Sequence, residues 1–280
     1  YTPFILQIIS QAVNIILNLF FVIVFDLNIF GVAVATVLSQ LLLFLMTLRK
    51  VCDKGREVRL NLHTLTLFDH MGPVWKLGIP AALEGAALNL SGVIIAVFIN
   101  RFDSLVIAAN TVGQTIEGLI VVAFVGFENA AVVFIARNYG CKDFARVKKA
   151  FFVTMITVFF LTEIPGLILY RYNHFFTAFI TKDPQIQDLA SVRMFYMCCF
   201  FGLCGLMNVV SGCIRGLGDA RLPLYISLFS SVGVRLTWIL TLARKAGTID
   251  MIYVSFPICW FLCAFLGTLA FVYRYRQVST

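Results

Sequence analysis

The chain has 280 residues, 60% of them hydrophobic, with a mean hydropathy of +0.93 and a formal net charge of +8. Apolar usage this far above the roughly 45–50% of soluble domains excludes an ordinary soluble fold, whose helices would each show a single apolar face. The charge alone would admit a nucleic-acid-binding protein, but the basic residues sit at the ends of long apolar runs rather than together on one segment.

Eight runs reach the roughly 20 helical residues that a bilayer core requires. They lie at about 4–25, 31–48, 78–99, 106–136, 148–170, 186–213, 222–243 and 250–273. The predicted fold class is an all-α membrane protein with eight transmembrane helices. Numbered in order, the gaps after even-numbered runs and the tail hold fifteen Lys and Arg, and the gaps after odd-numbered runs hold five. By the positive-inside rule the fifteen-charge side is cytoplasmic, and both ends of this chain then lie inside. The charge reads as a topology signal and a headgroup contact, so the partner is the lipid bilayer and no nucleic acid.

In chain order, residues 1–48 carry the first two runs. Tyr1 is not a start methionine, no charged region precedes Pro3, and the first run is too long for a signal peptide, so the chain is expected to lack an N-terminal part. Asn14 and Asn18 are candidates for helix contacts. Residues 49–76 form the longest polar stretch, read as a cytoplasmic linker whose Arg59–Phe68 piece lies on the membrane surface. Residues 77–273 hold six further runs and 274–280 a cytoplasmic tail. Shifting the first two runs by 221 positions lays Ser10 on Ser231 and Leu41 on Leu262, a faint repeat that fits two parallel six-helix bundles.

The third run contains Glu84, four residues after Pro80, with Ser91 on the same face and Ala81, Gly85 and Gly92 beside it. Glu84 lies near the cytoplasmic end, where snorkelling or capping competes with a functional role. The fourth run carries a polar stripe. At about 100° per residue, with Asn110 at zero, Gln114 falls near 40°, Glu117 near −20° and Glu128 near 0°. The stripe runs roughly 27 Å. Carboxylates at this depth are costly towards lipid and should face protein or a wet cavity. One reading is a carboxylate, Glu117 above all, that takes up a proton or a cation; the other is a stripe that glues helices through hydrogen bonds. Gly113, Gly118 and Gly126 are expected to loosen this helix.

Glu163, ahead of Pro165 in the fifth run, reads as a rim or kink residue. Arg193 in the sixth run is placed to snorkel. Arg235 sits deep in the seventh and needs a carboxylate or backbone carbonyls, either as a structural ion pair or as a gate for substrate. The eight cysteines match no zinc spacing and are expected as free thiols. His63, His70 and His174 converge with no nucleophile, Gly216-x-Gly218 lacks the third glycine of a dinucleotide fingerprint, and no paired aspartates stand inside the membrane. An intramembrane enzyme is therefore disfavoured.

Four segments carry a family likeness. They are Leu77-Gly78-Ile79-Pro80; Ala108-Ala109-Asn110 leading to Ile116-Glu117; Asn138-Tyr139-Gly140-Cys141-Lys142-Asp143 followed by Arg146 and Lys149; and Ile214-Arg215-Gly216-Leu217-Gly218-Asp219-Ala220-Arg221-Leu222-Pro223. Together they resemble the multidrug and toxic compound extrusion (MATE) family, over essentially the whole chain. Asn138-x-Gly140 reads as a helix end with a new helix starting near Asp143, and Arg215 to Asp219 as a tight turn whose arginine and aspartate tie the helix ends. The resemblance implies a twelve-helix, two-lobe transporter, monomeric when full length, of which this chain would be helices five to twelve. It also implies a cell-membrane antiporter that expels small organic cations or amphipathic drugs against sodium ions or protons, with no other cofactor. Glu117 matches the family's Ile-Glu position. Glu84 stands where relatives often have glutamine, and Arg137 replaces a residue that is commonly glutamine. The expected ion- and substrate-binding set is Glu117, Gln114, Asn110, Glu84, Glu128 and Arg235, and Glu117→Gln is expected to abolish coupled efflux with expression intact. A flippase for lipid-linked saccharide is the alternative, and it would call for a more cationic cavity.

Overall fold

The computed structural model describes residues 2–52 and 71–279, which are helical apart from short turns. The surface-lying piece expected at 59–68 falls outside the described residues. Two compact units divide at His70 and Met71.

The first unit is a helical hairpin. Helix α1 (Thr2–Leu19) runs on through a π-helical turn at Phe20–Val24 and returns as α2 (Asn28–Val51). Asp26 and Asn28 take positive φ at the tip, a conformation that short polar side chains tolerate. The buried residues of α2 are Gly31, Ala35 and Ser39, four apart, so small side chains let α1 approach along one stripe. Polar groups tie that seam: Ser10 donates to the Ser39 carbonyl at 2.7 Å, and Asn14 donates to the Ser39 hydroxyl at 3.1 Å. The helix-contact reading of Asn14 matches this bond.

The second unit holds the long helices α3 (Met71–Ile99), α4 (Ser104–Gly140) and α5 (Phe144–Arg171). After the short α6 (Asn173–Ala178) come α7 (Pro184–Cys198) and α8 (Phe201–Gly216). A rod then runs from α9 (Arg221–Ser227) through α10 (Arg235–Trp238) to α11 (Arg244–Ala246), with π-helical turns at Leu228–Val234 and Ile239–Ala243. Helix α12 (Ile249–Ser279) closes the chain. Helix α3 begins at Met71, ahead of the run expected from 78. Helix α8 is buried along most of its length and is surrounded by α4, α5 and α12.

Aspartates start the helices where the turns require them. Asp103, Asp143, Asp183 and Asp219 each accept a backbone N–H from the first turn of α4, α5, α7 and α9. The α4–α5 turn forms where Asn138 to Asp143 indicated it, although Gly140 stays helical and Lys142 takes the positive φ. In the next such turn Gly218 takes it, at φ 84°.

Among the described residues seven helices are long and apolar enough to cross a membrane, and α7 and α8, bent by 45° at their break, make an eighth if the pair is one span. The sequence suggested one unbroken helix over 186–213. The break at Cys199 and Phe200 packs closely against α5. Gly166 lies directly against the Cys198 carbonyl, and a Cβ on Gly202 would meet the Phe159 ring at 2.6 Å. The Gly202 N–H freed by the break donates to the Glu163 carboxylate at 2.7 Å. Glu163 thus accepts from the first turn of a neighbouring helix, a role different from the rim or kink reading of its own helix.

Candidate functional site: buried charges of the second unit

Two groups of ionisable side chains lie inside the second unit, with a lone arginine beside them. The first joins α4, α7 and α12. Asn110 and Glu117 are two turns apart on one face of α4, and Arg193 of α7 spans them. Its Nε donates to Glu117 Oε1 at 2.9 Å, Nη2 to Glu117 Oε2 at 2.7 Å and Nη1 to Asn110 Oδ1 at 2.7 Å. Tyr253 also donates to Asn110 Oδ1, at 3.4 Å, and its ring lies 5.5 Å from the guanidinium. The two charged side chains are 4% and 8% exposed. Gly113 makes the arrangement sterically possible, because a Cβ there would stand 2.9 Å from Arg193 Cδ. The glycine expected to loosen α4 instead leaves a channel for the arginine stem.

Both oxygens of Glu117 are therefore occupied. Arg193, read from sequence as a snorkelling residue, is buried in this bidentate pair. Gln114 is not part of it: the side chain is exposed, although Asn110 and Glu117 on either side are buried. About 40° of helix rotation puts it past the edge of the buried face.

The second group lines a cavity of about 200 Å³ among α3, α4, α8 and α9, with Glu84, Glu128, Asn208, Ser211, Arg215 and Ser227 in its wall. Ser227 donates to Glu84 Oε1 at 3.1 Å, while Glu84 Oε2 is buried and has no hydrogen-bond partner among the described residues. Glu128 is ion-paired with Arg215. Arg215 and Asp219, expected to tie the helix ends, reach different helices: Arg215 reaches Glu128 of α4, and Asp219 pairs with Arg274 of α12 at 3.5 Å.

Arg235 stands apart from both groups. Its Nη1 is 3.5 Å from the Ser91 hydroxyl, its guanidinium lies 4.4 Å from the Phe256 ring centre, and Nε is buried with no hydrogen-bond partner among the described residues. The carboxylate or carbonyl that sequence reasoning required is not bonded to it among the described residues. A serine and an aromatic face take that place. With Glu117 on Arg193 and Glu128 on Arg215, Glu84 and Arg235 are left without an ionic partner among the described residues.

A family model described as MatE matches residues 80–239. The chain belongs to the MatE family. It is 25% identical over 293 residues to the probable multidrug resistance protein YoeA of Bacillus subtilis, covering 99% of this chain and 60% of that protein. It is 22% identical to the multidrug export protein MepA of Staphylococcus saprophyticus, covering 76% of this chain and 47% of that protein. In structure it is similar to the Vibrio cholerae MATE transporter VcmN in its bent form, with a TM-score of 0.85 at 19% identity over 98% of this chain and 62% of that one. That likeness establishes the MATE fold. The chain thus spans about 60% or less of the length of these relatives. MatE members are transporters rather than enzymes.

Proposed function

We propose that this MatE chain acts in multidrug efflux at the cell membrane, with both of its ends cytoplasmic, exchanging organic cations or amphipathic compounds for sodium ions or protons. Its relatives named for multidrug resistance and export support the class of activity. The observation that carries the mechanism is Glu84 Oε2, a buried carboxylate oxygen at a polar cavity with no hydrogen-bond partner among the described residues.

Glu84 is buried inside the helix bundle, where few groups can solvate a negative charge. A sodium ion or a proton on that carboxylate removes the counter-charge that would hold an organic cation. Two ligands that compete for one carboxylate exchange across the membrane when their affinities differ between the inward- and outward-open states. Glu117 then has a supporting part. Its charge is balanced by Arg193, so it fixes the spacing of α4 and α7 rather than receiving the ion. Around the cavity two carboxylates face one guanidinium, a balance that favours cationic over diphosphate ligands and runs against the flippase alternative.

The test is efflux of a cationic dye from cells expressing the protein, with and without a sodium gradient. Gradient-dependent efflux that is lost in Glu84→Gln supports the reading. Efflux unchanged by that substitution refutes it.

A further inference from the structure

The α4–α5 hairpin carries a groove that the buried charges do not explain. Its volume is about 420 Å³, and it is lined by Phe134 of α4 and by Arg146, Lys149, Ala150, Val153 and Thr154 of α5. The five α5 residues are spaced i, i+3, i+4, i+7 and i+8, which is one helix face.

Polarity changes along that face. Arg146 and Lys149 lie roughly 3 and 7.5 Å from the start of α5, and Val153 roughly 13.5 Å from it. Phe134, about 9 Å before the end of α4, falls between these levels. Phe134 and Val153 are both half-exposed. Lys149 has no partner among the described residues, and Arg146 shares only an exposed contact with Asp143 at 3.3 Å. Such surface pairs hold little energy and open readily to a new partner. Arg137, Lys142 and Lys148 raise the positive potential of the same hairpin end.

A cationic end followed by an apolar wall, at the end of two membrane-spanning helices, matches the profile of a phospholipid. We propose that this groove seats a phospholipid with a net negative headgroup, its phosphate on Lys149 and Arg146 and an acyl chain along Phe134 and Val153. The sign of the charge disfavours an organic cation here, and the apolar wall distinguishes the site from one for free phosphate.

The test is native mass spectrometry of the purified protein with equal amounts of phosphatidylglycerol and phosphatidylcholine. Two basic contacts should favour phosphatidylglycerol by about tenfold or more. Arg146→Gln with Lys149→Gln should remove most of that preference. Arg137→Gln with Lys148→Gln, which takes two charges from the same hairpin but none from the groove, should preserve it. Val153→Trp, which fills the groove and keeps every charge, should also lose bound phosphatidylglycerol. A second basic groove, lined by Leu6, Met46, Arg49 and Lys50, is intact in every variant, so the readout is the difference between variants. Equal binding of the two lipids would overturn the proposal, as would equal losses in the two double variants or unchanged binding in Val153→Trp.

Discussion

Arg193 on α7 grips both carboxylate oxygens of Glu117 on α4, at 2.9 and 2.7 Å, and reaches Asn110 with its remaining nitrogen. This pair spans two membrane helices in an almost fully buried setting. Removing one partner leaves the other charge stranded, which costs about 3–5 kcal/mol in protein interiors. Arg193→Met and Glu117→Gln should each lower the melting temperature in detergent and reduce expression, so the intact expression that the sequence suggested for Glu117→Gln gives way to the buried pair. The double variant should recover most of the loss. Independent, additive losses in the double variant would mean that the two residues do not act as a pair.

Gly166 governs how closely α5 approaches the break between α7 and α8. An added Cβ would run into the Cys198 carbonyl, which is backbone and cannot swing aside. Gly166→Ala should therefore destabilise by about 1–3 kcal/mol, despite alanine being the better helix former. A melting curve equal to that of the parent protein would show that α5 has room to yield.

Glu163 satisfies the N–H that the same break exposes at Gly202. Glu163→Ala leaves that donor buried without a partner and should cost about 1–3 kcal/mol. Glu163→Gln keeps an acceptor oxygen and should cost less. Amide exchange at Gly202 and its neighbours checks the mechanism: it should accelerate in the alanine variant and stay slow in the glutamine one.

Much of this architecture was legible in the sequence because bilayer thickness and helical period are strong constraints. The apolar runs map onto the long helices, and Asp143 marks the start of α5 as expected. Asn110 and Glu117 do share a buried face. Partners across helices were not legible. Angular position tells which side of α4 a residue occupies but not which neighbour lies opposite, so Gln114 was grouped with Glu117 although it faces outward. Arg193 could have been found by depth, since Glu117 and Arg193 lie roughly 20 and 13.5 Å into helices that start from the same side. A long arginine side chain closes that gap. The break at Cys199 and Phe200 carries no proline, and its closest contact, with Gly166, comes from another helix. Arg215 reads as tying helix ends, but its partner Glu128, 87 positions away on α4, could not be named from the turn itself.

Glu128 and Glu84 line one cavity but should respond differently to substitution. Glu128→Gln deprives Arg215 of its ion partner, so it should reduce thermal stability along with transport. Glu84→Gln keeps an acceptor for Ser227 and removes a buried carboxylate with no ionic partner among the described residues, so the fold should be at least as stable as the parent. A loss of stability in Glu84→Gln as large as that in Glu128→Gln would assign Glu84 a structural role.

The central claim is that Glu84 is the carboxylate for which the inorganic and organic cations compete. Its most direct test is the binding of tetraphenylphosphonium to the purified protein over a range of sodium concentration and pH, with parent and Glu84→Gln side by side. In the parent, sodium or acid should weaken binding of the organic cation, and in folded Glu84→Gln that competition should vanish. Undiminished competition in the folded variant would contradict the account.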